Sequence, residues 1–217
     1  FPKLLLIGEP TSCQAGVAQK GCIWLKLSVS GKTSHGAEPW QGINALEQGF
    51  GLFADLREEL MREEHPVLGR STLQVTMAEG GIAPNMTPDR AQFLADIRIV
   101  PPLNEKEVLN RLECLIEKRC EVYNGGLSFT PEISNYRMPV ETGPKNQWLH
   151  RLKGFIGDNA GETGINYFTD ASIFLTAWPD SPALLFGPGE PQMCHKPNEY
   201  VEISKYFEAI RVMEKFC

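Results

Sequence analysis

Two residues of metal-binding type lie in loops that directly follow apolar segments. Glu9 stands in a Gly-Glu-Pro tripeptide immediately after the apolar run Leu4–Ile7. His195 lies a few residues after the Gly-Pro-Gly turn 187–189, which closes a second apolar segment. Carboxylates and neutral imidazoles are ordinary zinc ligands, and open α/β sheets bind ligands beyond the carboxyl ends of their strands. The pattern indicates a metal-binding crevice, but each residue taken singly is also typical of a plain loop.

Four further residues have the chemistry needed to hold a substrate or stabilise a reacting group. His35 lies in a long glycine-rich loop that leads into a helix, and Asn85 lies in the hairpin-like connection 80–88. Arg98 offers a planar guanidinium that fits a carboxylate, and Thr169 opens a third candidate loop. From the residues alone the alternatives stay open. His35 and Asn85 fit ordinary surface and turn positions, and Arg98 fits an ion pair with Asp96.

The elements that position these residues fall into two groups, and the first spans residues 21–134. Its hydrophobic periodicity follows the order β-α-β-β-α-β. This order predicts a ferredoxin-like sandwich, in which two helices pack on one face of an antiparallel sheet. The predicted elements are a strand over 23–30, a helix over 43–60, strands over 72–77 and 93–99, a helix that begins with the capping box Asn104/Glu107, and a strand over 127–133.

The second group flanks the first, and we predict that its two pieces form one α/β domain. A buried strand, Leu4–Ile7, comes before the sandwich. A helix, the short strand 183–186 and a final helix come after it. The predicted domains are therefore 1–20 (catalytic, first part), 21–134 (lid and dimerisation) and 135–217 (catalytic, second part). The predicted apolar faces are Trp148, Leu152 and Phe155 on the first of these helices, and Ile203, Tyr206, Phe207, Ile210 and Met213 on the last.

Composition narrows the function classes. Hydrophobic residues make up 42% and charged residues 22% of the 217 residues, as in ordinary globular proteins. The net charge of -6 argues against a nucleic-acid partner, and no apolar run is long enough for a membrane span. The six cysteines form no CxxC pair, which fits reduced thiols and a cytoplasmic location. Because the first residue is Phe1 rather than Met, we expect a fragment of a longer protein.

The motifs in their joint order resemble one family. These are Gly-Glu-Pro-Thr at 8–11, Lys20-Gly21, the His35 loop, Gly-Gly to Asn85, Asp-Ile-Arg at 96–98, Thr-Asp-Ala at 169–171, Gly-Pro-Gly at 187–189 and the segment 195–199. The chain resembles the zinc metallopeptidases and deacylases that include acetylornithine deacetylase, succinyl-diaminopimelate desuccinylase, glutamate carboxypeptidase and aminoacylase. The resemblance covers essentially the whole chain. It implies a zinc-exopeptidase-like catalytic α/β domain interrupted by a βαββαβ lid.

The resemblance also implies roles for individual residues. Glu9 and His195 would each be a terminal ligand of one of two zinc ions, with cobalt or manganese as possible substitutes. His35 would reach the active site of the partner subunit and stabilise the oxyanion. Asn85 and Arg98 would hold the substrate carboxylate, and Lys20 and Thr169 would line the substrate pocket. The implied substrate is an N-acyl-amino acid or a short peptide, the implied context is amino-acid metabolism, and the implied assembly is a homodimer formed through the lid.

The chain departs from the family pattern in one respect. The family also uses a His-x-Asp motif, a bridging Asp and a Glu-Glu pair that supplies the general base, all upstream of the Gly-Glu-Pro motif. This chain has no residues there. Two ligands cannot hold two zinc ions, so we expect the chain to be inactive alone. The alternative functions are a dipeptidase or aminopeptidase of the same family, or a non-catalytic dimerisation module.

Overall fold

The chain forms two main sheets that are joined near Lys20, as described by a computed structural model of residues 1–158 and 160–217. Each sheet packs against its own apolar core. The strands are β1 (Leu5–Ile7), β2 (Ala15–Gln19), β3 (Gly21–Ser30), β4 (Glu64–His65), β5 (Gly69–Arg70), β6 (Thr72–Gly80), β7 (Arg90–Ile99), β8 (Ser128–Arg137), β9 (Val140–Glu141), β10 (Glu162–Ile165) and β11 (Ala183–Leu185). The helices are α1 (Ala45–Leu60), α2 (Glu105–Val122), α3 (Gln147–Ile156), α4 (Ala171–Ala177) and α5 (Ile203–Phe216).

The first main sheet is the predicted ferredoxin-like sandwich. Its strand order is β6-β7-β3-β8 and all neighbouring pairs are antiparallel. Alternation decides which face of β3 is buried. Ile23, Leu25 and Leu27 face the core, whereas the residues that alternate with them are exposed on the other face: Trp24, Lys26, Ser28 and Ser30. Helices α1 and α2 begin at Asn44 and Asn104, whose side chains accept bonds from backbone N–H groups of the first turn. The predicted capping box residue Asn104 is confirmed as a cap.

The second main sheet contains the predicted first and last strands as parallel neighbours. Its order is β1-β11-β2-β10, and β9 pairs with β2. Strand β1 pairs with β11 from Leu5↔Ala183 to Ile7↔Leu185. Helices α3 and α5 cover this sheet, with Leu149, Leu152 and Val212 fully buried. Because β1 and β11 run in the same direction, the loops that follow them lie at one edge.

Several elements of this sheet escaped sequence prediction. Strands β2 and β10 have the sequences Ala-Gly-Val-Ala-Gln and Glu-Thr-Gly-Ile. Alanine, glycine, glutamine and glutamate are not strong strand formers, and segments this short show no clear alternation. Strand β2 nevertheless lies in the middle of the sheet and is entirely buried. Strand β2 is therefore stabilised by pairing with the strands on both sides rather than by local strand propensity.

The prediction for the apolar face of the last helix was wrong. Helix α5 buries Ala209, Val212 and Phe216 against the core. Ile203 and Phe207, which were predicted to pack inside, are 75% and 64% exposed. The helix has apolar residues on two sides, and periodicity alone does not say which side meets the sheet. The predicted face of α3 is confirmed, since Leu152 is fully buried and Trp148 and Phe155 pack against the core beside Leu149 and Ile156.

A small hairpin formed by β4 and β5 connects the two main sheets. It leaves the sandwich after α1 and inserts Leu68, which is 5% exposed, into the core beside α3 and α5. Leu68 lies over Gly164 of β10 so closely that a Cβ on Gly164 would come within 2.5 Å of the Leu68 side chain. The buried His65 lies in the same hairpin, and its Nδ1 accepts bonds from the backbone N–H groups of Val67 and Leu68. We call residues 64–70 the anchor hairpin.

Within the described residues, no helix is both long and apolar enough to cross a bilayer.

Candidate active site

Glu9 lies at the edge where the parallel strands β1 and β11 end. The backbone N–H of Thr11 bonds to the carbonyl oxygen of Gly187, so the two loops run side by side. A Cβ at Gly187 would come within 2.5 Å of the Glu9 carbonyl oxygen, which explains why glycine is required at this position. The loop that contains Glu9 and the 187–189 turn therefore lie at one edge of the sheet.

The carboxylate of Glu9 is half-buried and is held by one tyrosine. The Tyr167 hydroxyl donates to Glu9 Oε2 at 3.3 Å. Burial raises the pKa of the Glu9 carboxyl above its usual range, the hydrogen bond from Tyr167 opposes this shift, and the nearby Asp170 carboxylate adds to it. Burial also raises the pKa of Tyr167, so the phenol remains a proton donor at neutral pH. The negative charge of Glu9 is therefore costly in this position and would be relieved by a cation.

The His195 loop approaches Glu9 through the same tyrosine. Tyr167 Oη lies 3.7 Å from Cys194 Sγ, so Glu9 and Cys194 both contact one side chain. His195 follows with a φ of 61°, an unusual left-handed conformation for a histidine, and its backbone N–H donates to Glu199 Oε2 at 3.2 Å. The imidazole itself is exposed. The loop that carries His195 thus lies on the same side of the molecule as Glu9.

Thr169 and Lys20 lie behind this edge, at the junction of the two main sheets. Gln19 Oε1 accepts bonds from the backbone N–H and the hydroxyl of Thr169. Because the backbone N–H can only donate, the amide orientation of Gln19 is fixed, and its Nε2 has no partner within the described residues. Lys20 is 6% exposed and donates to the Arg70 carbonyl oxygen at 2.7 Å. Burial lowers the pKa of Lys20.

Arg98 is paired with a carboxylate of its own strand. Its guanidinium donates to Asp96 through Nε and through Nη2, the latter at 2.8 Å. This bond raises the pKa of Arg98 further. The ion pair that remained an alternative from the sequence is thus present. The guanidinium also lies 5.9 Å from the centre of the Phe168 ring, next to Thr169, so Arg98 faces the same junction.

His35 and Asn85 meet each other at the opposite end of the sandwich. The Gly36 N–H donates to the Asn85 carbonyl oxygen at 2.8 Å, and His35 forms an isolated bridge with Met86. Both side chains are exposed, and Trp40 in the same loop is 76% exposed. Arg98 pairs with Cys22 at the start of β3, whereas this loop follows the end of β3. Ten strand residues at about 3.3 Å each put roughly 30 Å between the two ends.

Glu9 and His195 are residues of metal-binding type, but two ligands are too few for a zinc ion. A desolvated carboxylate and a loop imidazole are suitable ligands for zinc. In the described ranges 1–158 and 160–217, however, no cluster of three or more His, Cys, Asp or Glu side chains is placed to hold a metal ion. Because a zinc ion takes about four donors, Glu9 and His195 could not form a zinc site by themselves.

Sequence reasoning missed the residues whose roles depend on contacts. Tyr167 bridges Glu9 and Cys194, Gln19 holds Thr169, and the Arg137 guanidinium lies 5.7 Å from the centre of the Phe168 ring. The only available signal was the position of Tyr167 and Phe168 directly before the recognised Thr-Asp-Ala motif.

Comparison with known proteins identifies the fold and the family. Residues 17–124 match the model of the peptidase dimerisation domain. The chain is 29% identical over 230 residues to acetylornithine deacetylase of Shigella sonnei, and this match covers 100% of the chain but only 57% of that protein. The chain thus spans little more than half the length of this curated relative.

Solved structures give the same picture at the level of fold. Aminopeptidase PepT from Bacillus cereus has a TM-score of 0.72 at 17% identity, with 98% of this chain and 55% of that chain covered. An M20 family metallo-carboxypeptidase from Sulfolobus solfataricus has a TM-score of 0.69 at 16% identity, with 100% and 63% covered. Residues 17–124 are thus a peptidase dimerisation domain, and the chain as a whole is similar to metallopeptidases and deacylases that contain it.

Proposed function

We propose that this chain is part of a two-metal amidohydrolase that removes an acyl group from an amino acid, in the manner that the name acetylornithine deacetylase describes. The observation that supports the proposal most directly is the Glu9–Tyr167–Cys194 contact. It joins a desolvated carboxylate to the loop of His195 at the end of parallel strands. A peptidase function is the second candidate, because solved structures of similar fold include an aminopeptidase and a dipeptidase.

Glu9 and His195 would hold the metal ions, which we propose to be zinc, with cobalt or manganese as substitutes. When bound, such ions supply Lewis acidity and an acidified water molecule. The remaining ligands and the general base would come from other parts of a longer protein, so the chain alone would be inactive. Tyr167 would keep the Glu9 carboxylate in one orientation through its hydroxyl.

The pocket residues would bind and orient the substrate. Thr169, fixed by Gln19, would line the pocket, and Lys20 would lie behind it at the junction of the two main sheets. Arg98 would contribute positive charge for the substrate carboxylate, although Asp96 already takes part of its hydrogen-bonding capacity. We propose a small N-acyl-amino acid or a short peptide as the substrate, and a cytoplasmic location.

A second copy of the chain would complete the site. His35 and Asn85 lie at the far end of β3 from Arg98, so one copy cannot bring all of these residues to one substrate. A homodimer formed through residues 21–134 would place His35 and Asn85 of one subunit over the crevice of the other. Residues 1–20 and 135–217 would then be the two parts of the catalytic domain. If the complete protein were not an enzyme, the sandwich would act only as a dimerisation module.

The test is hydrolysis of a substrate panel by the complete protein. N-acetyl-amino acids, N-succinyl-amino acids and dipeptides separate a deacylase from a peptidase. We expect turnover with zinc, loss of turnover on chelation, and restoration when zinc is added back. The Glu9→Gln variant should bind less zinc per subunit than wild type. Metal analysis measures this zinc content and does not depend on turnover. Full zinc content in Glu9→Gln, or no hydrolysis of any panel member, would refute the proposal.

A further inference from the structure

Two arginines occupy equivalent positions on the open face of the sandwich sheet. Cys22 of β3 pairs with Arg98 of β7 on one side and with Arg137 of β8 on the other. Residues that pair across neighbouring strands point to the same face. Both guanidinium groups contact the Phe168 ring, at 5.9 Å for Arg98 and 5.7 Å for Arg137. Two cations of the sandwich sheet thus lie close to the Phe168 ring.

Only one of these two cations has a carboxylate partner. Asp96 makes two hydrogen bonds to Arg98. Arg137 donates through Nη1 to the Tyr136 carbonyl oxygen at 2.7 Å, and no carboxylate among the described residues forms an ion pair with it. Its buried Nε has no acceptor anywhere in ranges 1–158 and 160–217. A partly buried guanidinium with an unused donor and no counter-charge is an unfavourable arrangement, which an anion would relieve.

The unpaired cation lies next to the candidate metal crevice. Phe168 contacts Arg137, and the preceding residue, Tyr167, donates to Glu9. The following residue, Thr169, is held by Gln19, whose Nε2 is also without an acceptor. Two of the buried side-chain donors that lack partners thus adjoin the three-residue segment 167–169. The charge of Arg137 and these two donors make this part of the crevice electropositive, which suits an anionic group.

We propose that Arg137 is a specificity residue that binds a carboxylate group of the substrate. The assignment rests on the proposed function, and it moves the main charge contact from Arg98, which Asp96 already neutralises, to Arg137. A carboxylate matches the planar fork of a guanidinium and would contact its exposed part. Arg98 is then a positioning residue that contacts the Phe168 ring.

The experiment compares a carboxylate with its neutral amide in the complete protein. The substrate is the best member of a panel of N-acetyl-L-amino acids, and the comparison compound is the same molecule with its carboxylate converted to a primary amide. Arg137→Met removes the charge but keeps an unbranched side chain, and Arg137→Lys keeps the charge without the fork. Arg151→Met is the matched control, because Arg151 also lies over aromatic rings, those of Trp148, Phe155 and Phe216, but on α3.

We expect Arg137→Met to raise KM for the carboxylate substrate by about tenfold to a hundredfold, since hydrogen bonds to charged groups are among the stronger ones. KM for the amide and kcat should stay within about threefold of wild type. Arg137→Lys should recover part of the loss, and Arg151→Met should behave like wild type. Equal effects on carboxylate and amide, or an unchanged KM in Arg137→Met, would overturn the assignment.

A binding measurement separates this inference from the proposed function. Calorimetric titration with the free L-amino acid and with its amide requires no turnover. Wild-type protein should prefer the carboxylate, and Arg137→Met should lose that preference while its melting temperature stays close to that of the control. If the panel is not hydrolysed but this preference is observed, the proposed function fails and the Arg137 assignment stands. Equal binding of both compounds by wild-type protein would refute the assignment.

Discussion

At the scale of single residues, the hydrogen bonds of His35 decide which nitrogen can act. The backbone N–H of Ala37 donates to His35 Nδ1 at 3.0 Å. Nδ1 is therefore an acceptor, and in the neutral ring the proton lies on Nε2. Nε2 is then a donor. An imidazole in this tautomer has the form needed to stabilise a negatively charged oxygen, which agrees with the proposed role of His35.

His35→Ala should cut turnover of the complete enzyme by about two to three orders of magnitude, the usual loss when an oxyanion donor is removed. KM should change much less, because the contact forms mainly in the transition state. His150→Ala, which removes an exposed imidazole from α3, is the control. Steady-state kinetics of both variants provide the measurement. Turnover of His35→Ala within a few-fold of wild type would contradict the role.

The thiol of Cys13 leads to a pH prediction. Burial raises its pKa from 9.0 to about 11, with the Glu208 carboxylate contributing. A raised pKa means that the fold favours the neutral thiol. This contribution to stability is complete below pH 9 and is lost as the pH rises from 9 toward 11. Thermal unfolding of wild type and Cys13→Ala between pH 8 and pH 11 should show a steeper decline for wild type.

The same thiol should resist alkylation in the folded protein. At pH 8, iodoacetamide should label the exposed Cys114 and Cys217 first, and the buried Cys13 and Cys22 only after unfolding. Mass spectrometry of peptides from timed reactions gives the four rates. Labelling of Cys13 as fast as Cys114 would show that the 11–14 loop opens in the native protein.

Residue type and loop position could predict only part of the site. Glu9 and the 187–189 turn were found because both follow buried strands, and parallel pairing places them together. Tyr167, Gln19 and Arg137 could not be found, because their importance depends on which neighbours they contact or lack. A tyrosine or an arginine in the sequence carries no sign that its partner lies 158 or 31 positions away.

At the scale of elements, the sandwich was predictable and the second main sheet only in part. The sandwich has strands of nine or ten residues with clear alternation and helices with asparagine caps, so its elements can be recognised from the local sequence. In the second sheet, β1 and β11 were predicted from their apolar runs, whereas β2 and β10 have five and four residues without such a run and are held by long-range pairing. The anchor hairpin was missed for the same reason, since its two strands have two residues each.

Leu68→Ala tests the anchor hairpin. Removing this buried side chain should lower the free energy of unfolding by about 2–4 kcal/mol, as for other large-to-small changes in a core. Val122→Ala, at a position that is 73% exposed, should stay within about 0.5 kcal/mol of wild type. Urea denaturation of the 217-residue chain measures both variants.

Gly164→Ala extends this test to the contact itself. The new methyl group would come within 2.5 Å of the Leu68 side chain, so the single substitution should be destabilising. In the Leu68→Ala background the same substitution should cost less, because the space is then free. Additive effects would mean that the hairpin does not pack on β10 as described.

At the scale of the whole molecule, the length of β3 separates two groups of functional candidates. Arg98 and Arg137 lie at its first end, beside the Glu9 crevice, and the His35 loop lies beyond its last residue. Residues 17–124, which include β3, match a peptidase dimerisation domain. The separation and the dimer fit together if each crevice is served by two copies.

Mixing two inactive variants of the complete protein tests shared crevices. If His35 serves the partner, a heterodimer of His35→Ala and Glu9→Gln contains one crevice with both wild-type residues. Random exchange at equal concentrations should restore about a quarter of the wild-type activity, because half of the dimers are mixed and each has one intact crevice. Activity after subunit exchange, compared with each variant alone, gives the result. No recovery would show that each subunit uses its own His35.

The exposure of Trp40 has a practical consequence. This indole lies in the His35 loop with three quarters of its surface in water, at 76%. An indole that leaves water for a protein surface emits at shorter wavelength. The loop thus carries an intrinsic fluorophore at the position where a second molecule would have to arrive. With Trp40→Phe as the blank, the emission of this residue would report the arrival of that molecule in real time, without labels or turnover.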